Sequence, residues 1–299
     1  EPDGIGAVHV DQIERVEDVP ERLRDLAVVE QQIAVHEQLL RGGNPSSLHA
    51  SGRRAKLALE QAREAVAAAL GAHPSEVVLT SGGTEADNLA VQGLFRARRA
   101  ADPQRLRIVL TGAEHHAVLD AVDWLAAHEG AEPVIVPVDA DGVVDLAAWE
   151  AALAAAPERT ALAALMWANN EIGTVHDLRA LAEVAHSVGA LVHTDAVQAA
   201  GQLELRGLGV DALTLSGHKL GAPKGSGLAM IRGRHPLEPL VHGGGQEGGR
   251  RSGTENVAFA VALAVALELA EAERLETVER LAELRDLLVR RVLASHDGV

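Results

Sequence analysis

Between residues 53 and 232, seven short apolar runs alternate with segments that have helical spacing, and few folds satisfy this alternation. The runs, rich in Val, Leu, Ile and Ala, are 76–80, 107–111, 133–138, 161–167, 190–195, 212–216 and 227–232. The helical segments are 53–70, 84–100, 117–129, 146–156 and 176–188. We therefore expect an α/β fold: a mostly parallel seven-stranded sheet with helices on both faces.

Loop signals divide the chain into three parts. Residues 1–43 are predicted to form a helical arm, with helical spacing from Pro20 to Leu40, and end at the loop "RGGNPSS". Residues 44–255 form the predicted large domain. Residues 256–299 are strongly helical and are expected to lead into a smaller C-terminal domain that is incomplete in this sequence.

Composition excludes several classes of function. The net charge is −16, which argues against binding to nucleic acid or to an anionic membrane surface. The longest apolar run, 257–270, is too short to span a bilayer, and no secretion signal opens the chain, so we expect a cytoplasmic protein. With no cysteine, disulfides, iron–sulfur ligation and a cysteine nucleophile are excluded within these residues.

The chain has only three lysines, Lys56, Lys219 and Lys224, and two of them lie in "SGHKLGAPKGSG". Most lysines are solvated surface charges. Lys219, however, follows a predicted strand and is flanked by Ser, Gly and His. A lysine that escapes full hydration can lose its proton and attack a carbonyl carbon.

Other strand ends also carry polar groups. In "TSGGTEADN", Gly83 and Thr84 open a helix whose N-terminus favours a phosphate, although Thr84 and Asp87 also have the spacing of a capping box. Asp195 ends an apolar strand, and either caps the following turn or pairs with a protonated heterocyclic nitrogen.

Adjacent histidines, His115 and His116, follow the strand at 107–111. They are poorly arranged for a metal, because neighbours on a short turn seldom converge on one ion and no third ligand has suitable spacing. An imidazole that stacks on a flat ligand is the better interpretation, with helix capping or packing as the alternative.

Together these groups comprise a lysine for an imine, an acid for a pyridine nitrogen and a helix N-terminus for a phosphate. A protein supplies this set to pyridoxal 5′-phosphate, whose ring withdraws electrons from the bound substrate. The sequence therefore predicts a pyridoxal phosphate enzyme.

On these motifs the chain resembles the cysteine desulfurases, a class V aminotransferase-like branch of the fold-type-I pyridoxal phosphate enzymes. The resemblance covers about residues 44–299. The motifs in register are "NPSSLHASGR", "TSGGTEADN", "EHHAVLD", "NNEIGT", "HTDAVQ", "SGHKLGAPKGSG" and "HGGGQEGGRRSGT".

The resemblance implies a role for each matching residue. Lys219 would form the imine with the cofactor and carry protons, and His115 would stack on the ring. Asp195 would pair with the ring nitrogen. The remaining residues would be Gln198 and Asn170 near the ring hydroxyl and substrate, Gly83, Thr84, Ser216 and His218 at the phosphate, and Thr254 at the phosphate of a neighbouring subunit.

The resemblance further implies L-cysteine as substrate, L-alanine as product, a homodimer with shared sites, and a role in sulfur metabolism such as iron–sulfur cluster assembly. A sulfur-acceptor or scaffold protein would be a partner. Residues 1–43 lack the family's usual opening, and the family's catalytic cysteine lies beyond the helix at 256–295. A lyase or aminotransferase that needs no cysteine, or a degenerate dimerising scaffold, are the alternatives.

Overall fold

The computed structural model describes residues 43–295, so the predicted helix between Pro20 and Leu40 lies outside the described residues. Seven strands form one sheet: β1 (Val77–Thr80), β2 (Arg107–Thr111), β3 (Glu132–Val136), β4 (Thr160–Ala164), β5 (Leu191–Asp195), β6 (Ala212–Ser216) and β7 (Gly227–Ile231). Their order is β1-β7-β6-β5-β4-β2-β3. Every pairing is parallel except the two made by β7. The predicted mostly parallel, seven-stranded sheet is confirmed.

Six α-helices accompany the sheet in the described range: α1 (Ala50–Leu70), α2 (Gly83–Ala101), α3 (His116–Glu129), α4 (Leu146–Ala154), α5 (Leu178–Ser187) and α6 (Val257–Ser295). One buried cluster joins a face of the sheet to α2 and α3, and the other cluster joins the opposite face to α1, α4, α5 and α6. Helices therefore cover both faces, as predicted, and the core on each side consists mainly of Ala, Val and Leu.

Helix α6 changes character along its 39 residues. Its first turns are buried in the core through residues such as Leu263 and Leu267, whereas Leu275, Leu284 and Leu288 are exposed. The domain boundary at residue 255 stays a prediction. No helix within residues 43–295 combines the length and apolar character needed to cross a membrane.

The parallel arrangement determines where a ligand can bind. Strands β1, β2, β4, β5 and β6 all end at the same edge, and the antiparallel strand β7 begins there. In open α/β sheets this carboxyl edge is the usual ligand-binding edge. The segments that follow these strands are therefore the place to look for a site.

Candidate active site

A cavity of about 200 Å³ lies at the carboxyl edge of the sheet. Nine of the ten predicted site residues line it: Gly83, Thr84, His115, Asn170, Asp195, Gln198, Ser216, His218 and Lys219. Asp87, Met166 and Val197 complete the lining. These residues follow the ends of several strands, so the fold brings together groups that are far apart in the chain.

Lys219 lies in the single 3₁₀ turn, Gly217–Lys219, that follows β6. The turn packs closely, because a Cβ on Gly217 would lie 2.2 Å from Oγ of Ser226. Ser216 Oγ lies 2.8 Å from Nδ1 of His218, which fixes the imidazole beside the serine. Lys224, by contrast, is exposed in the turn that leads into β7, away from the cavity.

The N-terminus of α2 faces the same cavity. The helix begins at Gly83, and its N-cap, Gly82, provides no side-chain hydrogen bond to the first turn. Its first backbone N–H groups are therefore available to an anion. A Cβ on Gly227 would lie 2.5 Å from the carbonyl carbon of Gly82, so glycine is required where β7 passes the helix.

The capping-box interpretation of Thr84 and Asp87 is wrong. Thr84 lies inside the first turn of α2 and is not its N-cap. The Asp87 side chain turns into the protein, where its Oδ1 accepts a hydrogen bond of 2.5 Å from Oγ1 of Thr214. Sequence spacing could not identify this partner, which lies on β6.

Asp195 is 2% exposed at the end of β5. Its Oδ1 accepts a hydrogen bond of 2.9 Å from the backbone N–H of Val197, and none of the ion pairs found within residues 43–295 includes it. Burial raises the pKa of Asp195 well above its usual range, and repulsion from Asp87 and Glu114 raises that pKa further. The capping and pairing interpretations are compatible, because one oxygen caps the turn while the carboxyl faces the cavity.

His115 and His116 point to different surroundings. His115 is the N-cap of α3, where its Nδ1 accepts a hydrogen bond from the backbone N–H of Ala117, and it also lines the cavity. His116 is exposed and lies 3.4 Å from Asp120. Within residues 43–295, no group of three or more His, Asp or Glu side chains is arranged to hold a metal ion.

Asn170 is presented by a turn whose neighbour, Asn169, holds it in place. Oδ1 of Asn169 accepts hydrogen bonds from the N–H groups of Glu171 and Ile172, while its Nδ2 donates to the carbonyl of Ala113. Asn169 thus ties this turn to the segment that carries His115. Asn169 therefore supports the loop, and Asn170 lines the cavity.

Thr254 is the one predicted site residue that does not line this cavity. It borders a separate cavity of about 230 Å³, with Glu247, Arg251 and Phe259 among the lining residues. The two cavities share no lining residue. In a single chain, Thr254 is therefore apart from the other nine.

Sequence reasoning missed Glu247, which anchors the glycine-rich loop that carries Thr254. Its two carboxylate oxygens accept hydrogen bonds of 2.7 and 2.8 Å from the guanidinium of Arg63, and one of them also accepts from the N–H of Leu79 on the edge strand β1. Glu247 is also the only residue other than glycine with a positive φ (51°) within residues 43–295. In the sequence, the signal that could have identified Glu247 was its position as a single acidic residue within the glycine-rich loop.

Comparison with known proteins identifies the family of this chain. The family model for aminotransferase class V matches residues 26–299. An IscS-like cysteine desulfurase of Mycobacterium tuberculosis is 48% identical over 275 residues, which are 91% of this chain and 69% of that protein. This chain belongs to the aminotransferase class V family.

Another relative of this aminotransferase class V chain is also described as a cysteine desulfurase. A cysteine desulfurase of Cereibacter sphaeroides is 50% identical over 231 residues, covering 76% of this chain and 58% of the relative. The chain thus spans 58–69% of the length of these two relatives. Among solved structures, a NifS-like protein matches 90% of this chain and 72% of its own, at 38% identity and a TM-score of 0.83.

A further solved structure, described as SspA in complex with cysteine, is 35% identical, with a TM-score of 0.74 over 81% of this chain and 68% of its own. The predicted family and fold are confirmed. Aminotransferase class V proteins and cysteine desulfurases are pyridoxal phosphate-dependent, which supports the predicted cofactor.

Proposed function

We propose that this chain binds pyridoxal phosphate in the Lys219 cavity and acts as a cysteine desulfurase-type enzyme on L-cysteine. One observation carries the proposal: the fold gathers nine predicted residues around one cavity, with a lysine, a buried acid and a free helix N-terminus among them. The relatives named as cysteine desulfurases support the choice of reaction.

The residues present fit the cofactor. Asp195 is buried, its pKa is raised, and it has no cationic partner in the described part of the chain. A protonated ring nitrogen would therefore provide the positive charge with which its carboxylate can pair. Bound pyridoxal phosphate supplies an aldehyde that takes an amine and a ring that withdraws electrons. His115 would lie against the ring, with Gln198 and Asn170 toward its hydroxyl and the substrate.

The phosphate would lie at the start of α2. Its N–H groups from Gly83 onward lack a capping side chain, and the helix dipole favours an anion there. Thr84, Ser216 and His218 line the same cavity and can donate hydrogen bonds. The serine–imidazole contact at 2.8 Å orients these two donors before the anion arrives.

Lys219 has two tasks in this scheme. Its Nζ would hold the cofactor, and it would also be placed to take a proton from the α-carbon of the amino acid and to return it later. The overall reaction balances as L-cysteine plus a thiol giving L-alanine plus a persulfide. The 299 residues contain no cysteine, so the accepting thiol has to come from outside them.

A homodimer follows as a second part of the proposal. Thr254 is exposed beside its own cavity, and a second copy could bring it to the phosphate that the first copy holds. A sulfur-acceptor protein, a role in iron–sulfur cluster assembly and a cytoplasmic location complete the proposed setting.

The test is to load the purified chain with pyridoxal phosphate, add L-cysteine and an excess of a small thiol, and quantify alanine, sulfide, pyruvate and ammonia. One thiol accepts the sulfur as a persulfide, and a second thiol reduces that persulfide to sulfide and a disulfide. We expect alanine and sulfide in equal amounts. Lys219→Ala should abolish both products, whereas the matched variant Lys224→Ala should retain them because Lys224 is exposed and outside the cavity.

Other products would indicate the alternatives. Pyruvate with ammonia would identify a lyase, and a keto acid formed with transfer of the amino group would identify an aminotransferase. Binding of the cofactor without turnover of any amino acid would support the scaffold interpretation and contradict the proposed reaction.

A further inference from the structure

The cavity contains a second carboxyl group, Asp87, to which the scheme above gives no task. Asp87 lies on α2, one turn after Gly83, is 1% exposed, and lines the same cavity as Asp195. A carboxylate this deeply buried is costly unless it serves a partner. Its surroundings therefore show which partner it lacks.

Within residues 43–295, two polar side chains approach the carboxyl of Asp87. Thr214 Oγ1 donates a hydrogen bond of 2.5 Å to Oδ1, and Nε2 of His193 lies 3.4 Å from the same oxygen. Nδ1 of His193 is buried and has no hydrogen-bond partner in the described residues. The neutral tautomer with its hydrogen on Nε2 fits these contacts, since a charged ring would bury a second N–H without an acceptor. His193 then leaves the charge of Asp87 uncompensated.

The other ionisable groups around Asp87 are mostly acidic. Asp195 faces the cavity from β5, and Glu114 is buried beside β2, where its Oε1 accepts hydrogen bonds from Thr111 and from the N–H of Met166. The cationic or neutral bases, Lys219, His218 and His115, are exposed at the outer part of the cavity. The buried surroundings thus combine three carboxyl groups, those of Asp87, Asp195 and Glu114, with the imidazole of His193, and of these four side chains Asp87 and Asp195 line the cavity.

We infer that Asp87 is a positioning residue that acts with Asp195 on the ring nitrogen of the cofactor, so that the pair selects a heterocycle carrying a proton on that nitrogen. Asp195 would be the direct partner of the ring nitrogen, and the nearby charge of Asp87 would strengthen the preference for the protonated form. This inference rests on the proposed cofactor site.

The experiment compares two ligands that differ at one atom: pyridoxal phosphate and its 1-deaza analogue, in which a C–H group replaces the ring nitrogen. Equilibrium dialysis of the full chain gives the affinity for each. In Asp87→Asn, the affinity for pyridoxal phosphate should fall about tenfold, because one nearby opposite charge is removed. The affinity for the analogue should stay unchanged or increase.

Two controls separate charge from geometry. The amide oxygen that Asp87→Asn introduces can still accept the hydrogen bond from Thr214, so this variant changes mainly the charge. Thr214→Val removes that donor and keeps the charge, and it should change the affinities for both ligands by the same factor. Equal losses for both ligands in Asp87→Asn would overturn the inference.

Asp195→Asn gives an independent result that does not depend on the folding of Asp87→Asn. If Asp87 acts on the ring nitrogen, this variant keeps a residual preference for pyridoxal phosphate over the analogue. Complete loss of the preference would overturn the inference while leaving the proposed cofactor intact. Failure of the wild-type chain to bind pyridoxal phosphate would instead refute the proposed function, and the inference with it.

Discussion

Two buried aspartates lie at opposite ends of the neighbouring strands β5 and β6, and their surroundings differ in charge. Asp195 ends β5, and Asp211 precedes β6; they are 2% and 1% exposed. Asp211 lies 2.7 Å from Nε2 of His186, from Nε2 of His235 and from a guanidinium nitrogen of Arg234. The carboxyl of Asp195 accepts a single hydrogen bond, from the backbone N–H of Val197, and has acidic neighbours.

The pKa values of the two groups separate accordingly. Burial alone would raise the pKa of Asp211, but hydrogen bonds from His186, His235 and the N–H of Val192 lower it well below its usual range. Burial and two carboxylates raise the pKa of Asp195. Within residues 43–295, Asp211 is satisfied by side chains of the protein, whereas the Asp195 carboxyl has no cationic partner. The contrast is the one expected between a structural carboxylate and the ligand-binding carboxylate that we propose.

The largest effect should come from Asp211→Asn. This change removes the charge that three cationic or imidazole groups share, and loss of one partner from a buried ion pair costs about 3–5 kcal/mol. Urea unfolding of the cofactor-free chain measures it. Because the pKa of Asp211 is lowered, its stabilisation is present above about pH 4 and is lost as the pH falls below that value. A loss under about 1 kcal/mol at pH 7 would contradict the structural role.

Glu247→Gln should have the next largest effect. Glu247 resembles Asp211 in being paired, through both oxygens, with Arg63 and with the N–H of Leu79. Loss of these charge-assisted hydrogen bonds should reduce the free energy of unfolding by about 1.5–3 kcal/mol. If the same urea experiment gave no change, the glycine-rich loop would need another anchor.

Asp195→Asn should act in the opposite direction. In the cofactor-free chain the variant should be more stable than wild type at pH 7, by about 1 kcal/mol, because it removes an unpaired buried charge. A raised pKa gives stability that is complete below about pH 4 and is lost as the pH rises through the folded-state value. The difference from wild type should therefore vanish in acid. A destabilised variant at pH 7 would show that Asp195 has a partner in the free chain.

Asp120→Ala should give the smallest effect. Asp120 pairs with His116, as Asp211 pairs with His186, but the side chains of His116 and Asp120 are 84% and 76% exposed. Solvated pairs contribute little, so the change in unfolding free energy should stay below about 0.5 kcal/mol. A larger loss of unfolding free energy would contradict the view that burial determines how much an aspartate–histidine pair contributes to stability.

Sequence reasoning recovered most of the fold because strands and helices leave strong periodic signals. The clearest error was at β4, which was predicted over 161–167 and ends at Ala164. Leu165 and Trp167 remain buried, and their N–H groups donate to the carbonyls of His193 and Asp195 on β5. The apolar run therefore continues beyond the end of the strand. The apolar pattern alone cannot distinguish residues of a buried strand from buried residues that follow it.

The candidate site was predictable where residues follow strand ends in family order, as Lys219, Asp195 and Thr84 do. Asp87 was misassigned to a capping box and Glu247 was missed, because their partners lie far away in sequence, on β6 and on α1. Such pairings exist only after folding. Their importance is therefore visible from contacts and burial, and not from spacing.

The most direct test of the central claim uses the scarcity of lysine. The chain is incubated with pyridoxal phosphate, reduced with borohydride and digested, and each of the three lysines, Lys56, Lys219 and Lys224, is mapped by mass spectrometry. We predict that the reduced cofactor is found on Lys219, at one equivalent per chain, and that Lys56 and Lys224 remain unmodified. Modification spread over all three lysines, or absent from Lys219, would contradict the account.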